Sequence, residues 1–162
     1  MIGPKLKTDD CQFGFKKGLS CSHVIYSLKQ IADYFTIGFS TVNICTLDIN
    51  KAFDKVNYYE LMLKLAERRF PAAVLNIFAS WLDCSYAIVK WGEHKSVIYK
   101  LESGVRQGSV ISPHFFAIYV NDVLHSLSEF KLGCRIRNVA CCCFMYADDL
   151  IILTASLTDL QA

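Results

Sequence analysis

The sequence predicts an α+β domain, and three observations carry that prediction. Two adjacent acids, Asp148 and Asp149, sit between the apolar runs Phe144-Met145-Tyr146 and Leu150-Ile151-Ile152-Leu153. Aspartate favours turns, while flanking aromatic and β-branched residues favour pleated, buried surface, so the pattern reads strand, tight turn, strand. A second apolar run, Val42 to Ile49, has the length and composition of a buried strand and carries Asp48 at its end. Between and around these runs lie stretches with helical spacing of apolar residues, opened by capping residues.

The chain has 162 residues, enough for one hydrophobic core. At 53% hydrophobic and 20% charged it is richer in apolar residues than an average soluble domain. No run approaches the roughly 20 apolar residues that a bilayer span needs. The beginning, Met1 to Lys7, has no apolar signal-peptide core behind it. A soluble, intracellular chain with no membrane partner is expected. The net charge of +2 hints only weakly at an anionic partner. The eight cysteines lie in apolar surroundings such as Cys141-Cys142-Cys143-Phe144, and none forms a Cys-x-x-Cys pair. Cys21 and His23 lack a second ligand pair at finger spacing, so buried free thiols are expected rather than a zinc site.

Residues 1–11 are polar, carry Gly3 and Pro4, and are expected to be a loose N-terminus. Gln12-Phe13-Gly14-Phe15-Lys16-Lys17-Gly18 follows as an aromatic, glycine-punctuated basic stretch. Its lysines read equally as a solvated turn or a phosphate contact. Ser20 or Ser22 caps a helix to about Phe35, with Val24, Leu28, Ile31 and Phe35 on one face and Gly38 closing it. After the strand to Ile49 comes the polar connector Asn50 to Lys55. Asn57 opens a helix with Glu60 at capping-box spacing and Val56 and Leu61 at staple spacing. Pro71 suits the first turn of a further helix whose apolar face is Val74, Ile77, Phe78 and Trp81. Ser85 to Trp91 and Lys95 to Leu101 read as a hairpin around Gly92. A two-glycine loop, Ser103 to Ser109, feeds a helix started by Ser112-Pro113 and running to about Ser128. Phe116, Tyr119, Val120, Val123 and Leu127 are expected on its buried side. Gly133 to Cys143 reads as extended chain returning to the acidic turn, and a last helix begins near Ser156.

If the strand ending at Asp48 lies beside the acidic hairpin, three carboxylates converge at one edge of a sheet whose other face is covered by helices. Two like charges about 4 Å apart repel by roughly 4 kcal/mol at an effective dielectric of 20. Hard divalent cations relieve that repulsion, because they prefer carboxylate oxygen. Two such ions about 3.5–4 Å apart can activate an attacking oxygen and stabilise a leaving phosphate. The competing reading of Asp148 and Asp149 is a solvated turn, and of Asp48 an exposed strand end.

Four stretches, in order, resemble the motifs of reverse transcriptases, most closely those of non-LTR (LINE-type) retrotransposons. They are Gln12 to Ser20, Leu47-Asp48-Ile49-Asn50-Lys51-Ala52-Phe53-Asp54, Gly104-Val105-Arg106-Gln107-Gly108-Ser109-Val110-Ile111-Ser112-Pro113, and Tyr146-Ala147-Asp148-Asp149. The resemblance implies a polymerase palm: an antiparallel sheet backed by helices, the acids on its open face, with partial fingers and no thumb. It makes 12–162 a partial reverse transcriptase domain, with late fingers over 12–40 and a palm core over 41–162 that is truncated at its C-terminal end. Asp48, Asp148 and Asp149 would be the catalytic and metal-holding acids, with the Ile49 carbonyl a further ligand and most of the coordination on Asp48 and Asp148. The cofactor implied is two Mg2+ ions, for which Mn2+ can substitute; the partners are an RNA template, a DNA primer and dNTP.

On the same resemblance Phe53 lies beneath the incoming sugar and leaves no room for a 2′ hydroxyl. Gln107 and Gly108 lie against nucleotide and template, Arg106 reads either as a phosphate contact or as surface, and Lys51 and Asp54 read as structural pairing or strand-end solvation. The implied activity is RNA-directed DNA synthesis by nucleotidyl transfer from dNTP to a primer 3′-OH. The alternatives are a catalytically inactive remnant or gene-model fragment that at most binds nucleic acid, and a related polymerase of group II intron or telomerase type.

Overall fold

The computed structural model describes residues 3–129 and 133–161. In chain order the elements are helix α1 (Cys21–Ile37), strand β1 (Asn43–Asp48), helices α2 (Tyr58–Glu67) and α3 (Ala72–Asp83), short strands β2 (Tyr86–Ala87), β3 (Lys90–Trp91), β4 (His94–Lys95) and β5 (Tyr99–Lys100), helix α4 (Ser112–Glu129), strands β6 (Arg135–Ile136), β7 (Val139–Ala140), β8 (Cys143–Tyr146) and β9 (Asp149–Thr154), and helix α5 (Leu157–Gln161). They fall into two compact bodies: Met1–Lys7 with Lys51–Tyr119, and Thr8–Asn50 with Val120–Ala162. This division interleaves the chain, where the sequence suggested a boundary near residue 40. The reason is that β1 takes its partner from the far end of the chain.

The body built on Thr8–Asn50 and Val120–Ala162 holds a three-stranded antiparallel sheet in the order β1-β9-β8. β9 is central and pairs with β1 from Asn43↔Thr154 to Asp48↔Asp149, and with β8 from Cys143↔Ile152 to Tyr146↔Asp149. Helix α1 backs the sheet: Ile31, Cys134 and Leu153 form a buried cluster, with Leu28, Phe35 and Phe144 packed against it. At the start of α1, the Ser20 N–H donates to His23 Nδ1 at 3.1 Å, so histidine takes the place of the usual glutamate in a capping box. Gly38 caps the other end.

Two expectations fail in this body. β1 is not a buried strand: Ile44 and Leu47 are 50% and 47% exposed, because β1 pairs on one side only and forms the edge of the sheet. Gly133 to Cys143 is not a single extended run either. Arg137 adopts a left-handed conformation (φ 54°), which folds the chain back so that β6 pairs with β7.

In the other body, Asn57 caps α2 by accepting the Glu60 N–H at 3.1 Å, and the staple residues Val56 and Leu61 are fully buried. Helix α3 opens just after Pro71. Phe78 and Trp81 make edge contacts with Phe115 at 4.9 and 6.1 Å between ring centroids. Ile77, expected on this face, is 64% exposed. Its neighbours follow the i, i+4 ridge through Val74, Phe78 and Leu82, which turns Ile77 outward. The same drift applies to α4: Phe116, Val120 and Leu124 are buried, while the expected Val123 is exposed. The hairpin around Gly92 forms as two short ladders, β2 with β5 and β3 with β4. Between them the Val89 N–H donates to Ser96 Oγ at 2.9 Å, so a side chain stands in for a strand partner.

The segment before Gln12, expected to be loose, is tied down wherever it is described. Gly3–Leu6 form a 3-10 turn, and Arg68 donates to the Lys5 and Lys7 carbonyls at 3.2 and 2.5 Å. The Asp9 N–H donates to Asn121 Oδ1 at 2.7 Å. All eight cysteines are free thiols, with Cys134, Cys142 and Cys143 buried. Burial pushes the Cys134 thiol up to about 11, so it packs as a small apolar group. No helix among the described residues is long and apolar enough to cross a membrane.

Leu153 is fully buried on the central strand. Leu153→Ala should therefore cost about 2–5 kcal/mol, read as a lower midpoint in urea unfolding; an unchanged midpoint would remove this cluster as the anchor of the sheet.

Candidate metal and nucleotide site

The acidic end of the sheet is set by register. Asp48 closes β1 directly opposite Asp149, which opens β9. Residues facing each other in an antiparallel pair carry their side chains on the same face, with Cβ atoms about 4.5–5.5 Å apart. Tyr146 pairs with Asp149, leaving Ala147 and Asp148 as a two-residue turn. Such turns require a positive φ, and Ala147 supplies it at φ 57°. The Ile49 N–H donates to the Asp148 carbonyl at 3.4 Å, which fastens the turn to the end of β1. Asp48 and Asp149 are exposed and Asp148 is half-buried, and a shallow groove lined by Thr46, Leu47, Asp48, Asp149, Leu150 and Ile151 runs along the pair.

Asp48, Ile49, Asp148 and Asp149 are thus brought to one place by backbone pairing within a single body. The donor set, three carboxylates and a backbone carbonyl, is the hard-oxygen chemistry that Mg2+ and Mn2+ prefer. As they stand, however, no three His, Cys, Asp or Glu side chains among the described residues are gathered to hold one ion. The backbone pairing sets Asp48 and Asp149 on one face, with Asp148 in the adjoining turn. Mutual repulsion of like charges on one face favours carboxylates that splay apart.

The other expected residues lie in the other body, where two loops are laced together. The Val105 N–H donates to the Phe53 carbonyl at 2.8 Å, the Gly104 N–H to the Val56 carbonyl at 2.8 Å, and Ser103 Oγ to the Asp54 carbonyl at 3.1 Å. Gly104 sits at φ 87°, and a Cβ there would meet the Asp54 backbone at 2.9 Å, so only glycine permits this approach. The Phe53 ring stacks on Phe116 with centroids 4.9 Å apart and planes 17° from parallel. Gln107 Nε2 reaches Asp54 Oδ1 at 3.5 Å, which gives Asp54 a structural partner.

Arg106 donates to Ser85 Oγ at 3.2 Å and lies over the Trp81 ring at 5.3 Å, so its guanidinium has protein partners while remaining on the surface. Gly108 has φ 81° with open space where a side chain would stand. Lys16 donates to the Thr8 and Asp9 carbonyls, closing the loop before α1. Gly104 is a residue that motif reading left without a role. Its signal was present as a glycine opening the loop, but the backbone it must approach lies far away in sequence.

Comparison with known proteins gives the family of the chain. The family described as reverse transcriptase (RNA-dependent DNA polymerase) matches residues 5–162. The RNA-directed DNA polymerase from mobile element jockey of Drosophila melanogaster is 32% identical over 116 residues, covering 72% of this chain and 12% of that protein. The probable RNA-directed DNA polymerase from transposon BS of the same organism is 27% identical over 148 residues, covering 91% of this chain and 16% of that protein. The chain therefore spans less than a fifth of the length of these relatives. Among solved structures, apo telomerase from Candida tropicalis superposes with a TM-score of 0.69 at 15% identity, over 99% of this chain and 31% of that one. Telomerase from Candida albicans, in complex with a fragment of telomeric RNA, gives 0.68 at 17% identity, over 93% of this chain and 28% of that one. These two likenesses establish a palm-like fold. As a family, reverse transcriptases use divalent metals and bind an RNA template and a primer. With the match running through all four motifs, the chain belongs to the reverse transcriptase family, on the side of the non-LTR retrotransposon polymerases.

Proposed function

We propose that this chain carries the polymerising centre of an RNA-directed DNA polymerase, joining a dNTP to a primer 3′-OH on an RNA template. The observation that carries the proposal is the register that sets Asp48 opposite Asp149 with Asp148 in the adjoining turn. Asp48 and Asp148 would hold most of two Mg2+ (or Mn2+) ions, with Asp149 and the Ile49 carbonyl completing the set. Bound there, the ions would supply Lewis acidity to the primer hydroxyl and neutralise the triphosphate. The three carboxylates leave about one unit of positive charge against two divalent ions, which suits an anionic substrate.

Phe53 acts by shape. Its ring is held flat against Phe116 and its carbonyl is fixed by Val105, so it presents a rigid wall to a sugar. Such a wall favours the nucleotide lacking a 2′ hydroxyl. Gln107 offers both a donor and an acceptor to a base or sugar edge, and Gly108 leaves room for close approach. Arg106 contributes positive charge at this loop while anchored on Trp81 and Ser85.

Primer extension on an RNA template with the purified chain tests the reading. Incorporation of dNTP should require Mg2+ or Mn2+ and should vanish in Asp148→Ala; equal incorporation by Asp148→Ala would sink the proposal. In the same assay Phe53→Val should raise ribonucleotide use relative to deoxyribonucleotide by about tenfold or more, and an unchanged ratio would remove Phe53 from sugar selection.

A further inference from the structure

The acidic turn is braced by a segment that the polymerising centre does not itself use. Residues 11–13 run beside β8: the Phe13 N–H donates to the Met145 carbonyl at 2.7 Å, and the Met145 N–H to the Cys11 carbonyl at 2.8 Å. Gln12 and Met145 thereby form an isolated parallel bridge next to the sheet. Gln12 is fully buried, a rare position for an amide, and both ends of that amide are occupied. Its Oε1 accepts the Gly14 N–H at 2.9 Å, and its Nε2 donates to the Ala147 carbonyl at 3.4 Å.

Gly14 completes the brace by lacking a side chain. A Cβ there would stand 2.3 Å from Ala147 N and 3.0 Å from Ala147 Cα. Both atoms are backbone of the turn, so a larger residue could be accommodated only by moving the turn itself. That turn is already under strain. Ala147 sits at φ 57°, a conformation that L-residues rarely adopt and that persists only where its surroundings over-determine it. The surroundings are these: Gln12 holds the Ala147 carbonyl, Gly14 packs against the Ala147 amide, and the Ile49 N–H holds the Asp148 carbonyl.

We infer that Gln12 and Gly14 are positioning residues for the acidic turn: the segment before α1 sets where the Asp148 and Asp149 carboxylates stand, and through them the affinity of the site for divalent metal. The part concerning metal rests on the proposed two-ion reading, whereas the part concerning the turn does not. The juxtaposition joins the first and last of the four motifs within one body. Gly14 acts by the space it leaves and Gln12 by its two hydrogen bonds, so the two can be tested separately.

The experiment measures two quantities on the full chain, wild type beside Gly14→Ala and Gln12→Met. The first is amide hydrogen exchange at Ile49, whose N–H bonds to the turn, with Ile31 on α1 as the internal reference. The second is Mn2+ affinity from water-proton relaxation. Both variants should lose about tenfold or more of the protection at Ile49 while Ile31 keeps its own, and both should weaken Mn2+ binding by about tenfold.

Wild-type values at Ile49 and for Mn2+ in either folded variant would overturn the inference. So would a loss of protection spread evenly over α1 and the sheet, which is the mark of a merely structural role. If Gly14→Ala does not fold, Gln12→Met, close in volume and lacking the amide, decides the matter alone. A wild-type chain that binds no Mn2+ would defeat the two-ion reading, while a local loss at Ile49 in the variants would still support the brace.

Discussion

Asp48 and Asp149 face each other across an antiparallel pair, and like charges so placed repel. Both side chains reach solvent, which screens the repulsion without abolishing it. The body that carries them is arranged to hold that unfavourable register. A slip of one residue would relieve the repulsion, but it would also carry Leu153 of β9 out of its cluster and Leu150 to the opposite face of the sheet. Those two side chains are buried, and Leu153 packs with Ile31 and Cys134. Hydrophobic burial along the central strand therefore fixes a charge arrangement that electrostatics alone would reject.

In the second body the constraint falls on the Phe53 ring. Phe53 follows a strand end and a turn, where a side chain would ordinarily be free to move. Its carbonyl is held by Val105, its ring by Phe116, and the neighbouring backbone by the close approach of Gly104. Hydrogen bonds with Cys11 and Cys142, together with burial, hold the Cys143 thiol well above the usual thiol range, so it stays protonated and serves as packing.

What could be read from the residues was local. Asn57 as a cap, Ser20 opening α1, the turn at Asp148 and the helix begun at Ser112-Pro113 are decided by neighbours within a few positions, and each forms where it was expected. The identity of Asp48 as an acid closing a strand was equally legible. What depended on distant partners was not. β1 reads as a buried strand because its residues are apolar, and only the sheet order reveals it as an edge. Ile77 and Val123 match a helical stripe as well as Phe78 and Leu124 do, and the choice between i+3 and i+4 ridges is made by the facing element. The tie of residues 5 and 7 to Arg68 and the brace from Gln12 to Ala147 join positions far apart in the chain, and no spacing rule announces them. The interleaving of the two bodies follows from the same long-range pairing of β1 with β9.

The central claim is that Asp48, Asp148 and Asp149 form one site for two divalent ions. Counting bound Mn2+ by electron paramagnetic resonance, with primer, RNA template and dNTP present, tests it most directly. The account predicts two ions per chain, magnetically coupled at about 3.5–4 Å, with the coupled pair lost in Asp48→Asn while the fold is retained. A count of two that survives Asp48→Asn, or the absence of any coupled pair in the wild-type chain, would contradict it.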